Sequence, residues 1–180
     1  MAKKQMIDRT KLLFQDPENY LDRLKTELFK AKKSANRKGK QFAYRNNGTS
    51  DRFEELKILL DMPEQPFDQA YDYTKDFLRV LNYHGYKGYH LTFSFDGLNI
   101  LESSYLLKNK IANVSMVLNV KRDMPLPKTH KINGKRYKVI DGDQDDLRFK
   151  DRIGVIVGLR AKGKAIKNNG EFVQKVRANA

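Results

Sequence analysis

Asp141-Gly-Asp-Gln-Asp-Asp146 places four carboxylates within six residues. Oxygen-rich clusters of this kind suit Mg²⁺ or Ca²⁺, and Asp141, Asp143 and Asp146 are the candidate ligands. With Mg²⁺ bound, phosphodiester cleavage is the natural chemistry beside so many cations. The segment is not an EF-hand loop. Its glycine stands second instead of sixth, and Arg152 occupies the position of the closing glutamate. An acidic turn paired with Arg148, Lys150 and Arg152 explains the same residues without a metal.

A second set of polar residues falls where strands are expected to end. These are Arg45 with Thr49, Ser50 and Asp51, then Asp72, Thr74 and Lys75, then His90 and Ser94. In parallel α/β folds, ligands bind beyond the carboxyl ends of the strands. Tyr89, Leu91, Phe93 and Phe95 alternate with His90, Thr92 and Ser94, so the polar three share one strand face. A shared pocket is one reading, and a self-satisfying core network is the other, since buried polar groups need partners. Ser94, His90 and Asp72 do not make a hydrolase triad, because four strand residues span about 13 Å. No histidine or cysteine spacing of a zinc site occurs.

Cations dominate the remainder. The 180 residues carry 36 Lys and Arg against 22 Asp and Glu, a net charge of +14 that favours polyanionic partners. The charge is clustered, with six Lys/Arg and no acid between Leu28 and Lys40, and seven against Asp123 between Lys121 and Lys138. Lys32, Lys33, Arg37, Lys38 and Lys40 are candidate phosphate contacts. Arg160, Lys162 and Lys164 are the others, in a glycine-bearing strand exit that lacks Walker spacing. Tyr83, Tyr86 and Tyr89 around Lys87 are either base-stacking residues or ordinary core and rim tyrosines.

These residues need a scaffold, and its pattern is regular. Residues 1–15 read as a loose basic lead. Asp16-Pro17-Glu18 starts a helix, and Leu21, Leu24 and Leu28 line one face of it until about Ser34. Gln41–Arg45 reads as a strand. Thr49 or Ser50 caps a helix carrying Phe53, Leu56, Leu59 and Leu60, which ends at Met62-Pro63. Strand Gln69–Thr74, a helix about Leu78, strand Tyr89–Phe95, helix Leu98–Lys108 and strand Ile111–Val120 follow. After a proline-bearing basic loop come strands at Val139-Ile140 and Gly154–Leu159. The alternation predicts a single α/β domain: a mostly parallel curved sheet or partial barrel, flanking helices and a basic N-terminal helix. The expected division is a basic helical segment over 1–40, an α/β core over 41–165 and a basic tail over 166–180.

Hydrophobic residues make up 39% of the chain, enough for a core. The absence of cysteine excludes disulfides, thiolate metal sites and cysteine-bound iron–sulfur clusters. No apolar run reaches membrane-spanning length and no signal-peptide core is present, so the cytosol is expected, without membrane association.

Several long motifs resemble the phage gene-product-88-like family. They are Arg45 with Gly48-Thr-Ser-Asp51, Tyr71-Asp-Tyr-Thr-Lys75, Tyr89-His-Leu-Thr-Phe-Ser94, Val139-Ile-Asp-Gly-Asp143, Asp146-Leu-Arg-Phe149 and Val155 to Ala165. The resemblance covers about residues 42–173. It implies a bacteriophage or other mobile-element gene, a bacterial host cytoplasm and an α/β fold distantly like the partial barrels of radical-SAM proteins. Family members often carry a cysteine-rich N-terminal segment. Here a basic helix takes its place, so no iron–sulfur cluster or other resident cofactor is expected, Mg²⁺ aside.

Three functions fit. The first is an accessory protein that binds nucleic acid or a ribonucleoprotein through its basic surfaces. The second is an anti-CRISPR-type inhibitor of a guide-RNA-loaded CRISPR nuclease, a host effector. The third is a Mg²⁺-dependent nuclease using Asp141, Asp143 and Asp146. No residue set demands catalysis, so binding is the expectation. Open sheet edges would allow a dimer.

Overall fold

A computed structural model gives the fold and describes residues 2–48, 50–163, 165 and 170–176, with side chains from residue 7 onward. The chain divides into two compact units, residues 1–70 and 71–180.

In the first unit, helix α1 (Ala2–Gln15) packs against helix α2 (Pro17–Asn36). The expected loose lead is therefore helical. No acid or N-cap signals α1 in the sequence; Arg9 reaching Glu27 of α2 at 3.1 Å and Arg52 lying over the Phe14 ring help to hold it. α2 begins as read, with the Asp16 carboxylate accepting from the Asn19 amide and Pro17 opening the first turn. Strand β1 (Ala43–Arg45) and helix α3 (Glu54–Leu60) follow, and α3 buries Leu56, Leu59 and Leu60. Ser50 does not cap α3. The residue at the N-cap is Phe53, and it makes no side-chain cap.

Strand β2 (Gln69–Thr74) leads into the second unit. There the order is helix α4 (Phe77–Tyr83), strand β3 (Tyr89–Ser94), helix α5 (Ile100–Lys108) and strand β4 (Asn113–Leu118). Strands β5 (Thr129–Ile132) and β6 (Lys135–Asp141), a 3₁₀ turn at Arg148–Lys150, and strands β7 (Ile156–Arg160) and β8 (Val173–Gln174) complete it. The sheet runs β2-β3-β4-β7-β6-β5 and does not close, and β8 pairs with the end of β4. Pairings β3–β4, β4–β7, β6–β7 and β4–β8 are parallel, and β5–β6 is antiparallel. This is the expected α/β class, with a mostly parallel, open sheet and flanking helices; α4 packs on β3 and α5 on β4.

The core lies where β3, β4 and β7 meet, at Phe93, Val114, Met116, Leu118, Ile156 and Val157. The β5–β6 hairpin was not expected. Its turn is Asn133-Gly134 with φ of 45° and 82°, the two left-handed residues of a tight hairpin turn whose twist suits paired strands. β8 lies inside the segment read as tail.

A basic cleft at the strand ends as the candidate binding site

β4, β7 and β6 run parallel, so Leu118, Arg160 and Asp141 emerge from one edge of the sheet. Register fixes their order, with Leu118 beside Arg160 and Asp141 beside Gly158. Beyond this edge lies a cleft of about 760 Å³, walled by Asn119–Arg122 on the β4 side and by Asp143 and Arg160–Gly163 on the other. The loop after β4 is tied down at both ends. The Asn119 amide donates to the Gln174 carbonyl, and Arg160 Nε donates to the Met124 carbonyl at 3.1 Å.

Four charges organise the floor. Arg160 grips Asp141 with both terminal nitrogens, each at 2.9 Å, and reaches Asp143 at 3.1 Å. The Arg160 amide also donates to Asp143, and Lys162 Nζ donates to it at 2.7 Å. A bidentate guanidinium–carboxylate fork is the strong form of such a pair. The Arg160 hydrogen bonds hold the Asp141 carboxyl below its usual range. Burial pushes Asp143 up, but hydrogen bonds from Lys162 and Arg160 outweigh it, and this carboxyl also ends below its usual range.

Two glycines make the arrangement possible. A Cβ at Gly142 would stand 2.5 Å from Val157 Cγ1, and one at Gly158 would stand 2.8 Å from Val139 Cγ1. Both positions therefore lack room for a side chain where β6 and β7 lie side by side.

The cleft cations differ in their pairing. Arg160 and Lys162 are neutralised by the two aspartates, whereas Lys121 and Arg122 make no ion pair among the described residues. Both are exposed on the cleft wall. Such a surface can bind an anionic group with two cations and a backbone that approaches closely at Gly163.

The proposed metal ligands do not converge. Asp146 accepts from Tyr71 and Tyr73 hydroxyls, each at 3.2 Å, while Asp141 and Asp143 face Arg160. No group of three histidine or carboxylate side chains placed to hold a metal occurs among the described residues.

The expected pocket residues fall in both units. In the first unit Arg45 Nε donates to the Asn47 carbonyl and the Ser50 hydroxyl to the Asn47 side chain, while Asp51 is exposed. Thr49 and Lys164 lie outside the described residues. In the second unit the Asp72 carboxylate accepts from the Tyr73 amide, the Thr74 hydroxyl accepts from the Asp76 amide, and Lys75 is exposed. Ser94 accepts from the Ser115 hydroxyl at 3.4 Å. His90 lines a separate 230 Å³ cavity at the start of β3, together with Tyr83, Tyr89, Ile111 and Ile153. Burial, with a smaller push from Arg148, lowers its pKa to about 4. Arg148 is itself buried and pairs with Asp145 and Asp151.

Of the N-terminal cations, Lys32 is an internal tie, donating to the Gln65 carbonyl at 2.8 Å. Lys33, Arg37, Lys38 and Lys40 are exposed.

A model of the gene product 88 family matches residues 2–175. The chain belongs to that family. The match shows a phage protein family, in agreement with the motifs quoted above, and extends that likeness to the helical N-terminal segment. No curated protein and no solved structure matches this gene product 88 family member. No helix among its described residues is long and apolar enough to cross a membrane.

In the sequence, Lys121 and Arg122 stand out only as part of a charge cluster. A usable signal was present: Asp141 and Asp143, and Arg160 and Lys162, are two acids and two bases, each pair spaced by two at the end of a strand. Spacing of two puts both members on one face, and adjacent parallel strands then oppose the pairs.

Proposed function

We propose that this family member is a phage accessory protein that binds the phosphodiester backbone of nucleic acid in the cleft at the ends of β4 and β7. The observation that carries the reading is the unequal pairing of the cleft cations. Arg160 and Lys162 shape the floor against Asp141 and Asp143, while Lys121 and Arg122 stand exposed and make no ion pair among the described residues. Uncompensated cations in a concave site focus a positive field and attract polyanions. The location also suits a ligand site, since the carboxyl edge of a parallel sheet is where α/β folds bind.

Binding, not cleavage, is the reading favoured by the floor. Asp141 and Asp143 spend their lone pairs on Arg160, Lys162 and backbone amides. A nuclease would have to release them before they could take Mg²⁺.

The test is charge reversal. Lys121→Glu/Arg122→Glu should abolish or strongly weaken binding to single-stranded DNA while leaving the melting temperature unchanged. Equal binding by wild type and variant would overturn the assignment of the cleft. An inhibitor of a guide-RNA-loaded nuclease would instead show tight, salt-resistant binding to that particle and little to free nucleic acid.

A further inference from the structure

The β5–β6 hairpin carries five Lys/Arg and no acid between Pro125 and Ile140. Register sorts them by face. Thr129 lies opposite Lys138 and Lys131 opposite Arg136, while His130 lies opposite Tyr137 and Ile132 opposite Lys135. Tyr137 and Ile132 are buried, so their face packs inward; Thr129, Lys131, Arg136 and Lys138 are exposed on the other. The outward face is therefore three cations and a hydroxyl.

One feature of this face works against the fold. Like charges directly across an antiparallel pair destabilise it, and Lys131 faces Arg136 with no acid among the paired residues Thr129–Ile132 and Lys135–Lys138. Arg136 turns a nitrogen to the Thr129 hydroxyl at 3.3 Å, which forms no ion pair. A ribbon selected for stability alone would hold an acid at one of these two positions.

We infer that this ribbon is a duplex-DNA-binding arm whose outward face enters the major groove. The inference rests on the nucleic-acid reading of the cleft and adds the form of the ligand. A two-stranded ribbon has backbones about 4.8 Å apart, and the B-form major groove, about 12 Å wide, admits it. The deep, narrow major groove of duplex RNA does not. Arg136, Lys131 and Lys138 supply groups that pair with guanine edges and phosphates, and Thr129 a hydroxyl that serves either. The ribbon also adjoins the cleft. β6 ends at Asp141 on the cleft floor, and its seven residues place the hairpin turn about 20 Å away along the strand. A duplex seated on the ribbon can therefore present backbone at the cleft.

The experiment compares wild type and Lys131→Glu on a 20-base-pair DNA duplex, the same sequence as duplex RNA, and single-stranded DNA, at about 0.1 M salt. The substitution turns a like-charge pair into an opposite-charge pair, so the melting temperature should hold or rise. Duplex-DNA affinity should fall roughly tenfold and its log–log salt slope should flatten by about 0.9, with single-strand binding unchanged. Wild type should prefer duplex DNA over duplex RNA. Equal affinity for both duplexes, or an unaltered duplex-DNA affinity in Lys131→Glu, overturns the arm while leaving the cleft in place. If wild type binds none of the three, the cleft reading falls and the arm with it.

Discussion

Replacing Arg160 by methionine tests the cleft floor most sharply, because it keeps the aliphatic stem and removes only the fork. The Arg160 side chain is 12% exposed, and its partners Asp141 and Asp143 are 26% and 16% exposed. Removing one partner from a fully buried pair costs about 3–5 kcal/mol, and an exposed pair is worth about 0–1 kcal/mol. Partial burial with a bidentate grip places this site between them, at about 2–3 kcal/mol. For a chain of this size 1 kcal/mol moves the melting temperature by roughly 2–4 °C, so Arg160→Met should melt about 5–10 °C below wild type at pH 7. Arg160→Lys should recover only part of this, since an ammonium cannot fork. The pH dependence has a definite sign. Both aspartates have folded pKa values below the ordinary 3.8, so their stabilisation is complete above that value and is lost as pH falls through the lower folded values. The gap between wild type and Arg160→Met, followed by circular dichroism, should narrow below pH 3.8. A loss under about 1 kcal/mol, or a gap that does not narrow in acid, would refute the clamp as a structural element.

His90 should stay neutral down to about pH 4 in the folded state. The unfolded chain gains that proton near pH 6.5, so stability should fall between pH 6.5 and 4 by up to about 3 kcal/mol, at 1.36 kcal/mol per unit. His90→Gln should flatten this part of the urea-unfolding profile, and an unchanged profile would show His90 to be solvated. Gly97 has φ of 99°, and a Cβ there would lie 2.5 Å from the Glu171 backbone. Gly97→Ala should therefore cost about 2–4 kcal/mol in urea unfolding, combining backbone strain with overpacking; a cost under 1 kcal/mol would mean that the segment at Glu171 gives way.

Strands β2 and β3 were legible because polarity and turn residues framed them, and helix α2 because Asp16-Pro17 announced it. Helix α1 was not, since the features that help to hold it come from α2 and from Arg52. The hairpin was missed although Ile132-Asn-Gly-Lys is a strong turn signal. Its strands are rich in Lys and Arg, and only Ile132, Tyr137 and Val139 are buried. Alternation of polarity in β3 also did not equal alternation of burial. Thr92 is as inaccessible as Phe93, because the sheet is covered on both faces there. The carboxylates of Asp141 and Asp143 were visible at once, but their partners were not. The fork to Arg160 depends on β6 lying beside β7 with Asp141 opposite Gly158, a register that no local pattern encodes.

Binding of nucleic-acid backbone in the cleft is tested by a salt series. Fluorescence anisotropy with labelled single-stranded DNA, from about 50 to 300 mM salt, should give a log–log slope of about −1.4 for wild type, at about −0.7 per phosphate contact with Lys121 and Arg122 engaged. Lys121→Glu/Arg122→Glu should bring the slope close to zero and lose affinity at every salt concentration. Wild-type binding that ignores salt, or a variant whose slope and affinity match those of wild type, would contradict it.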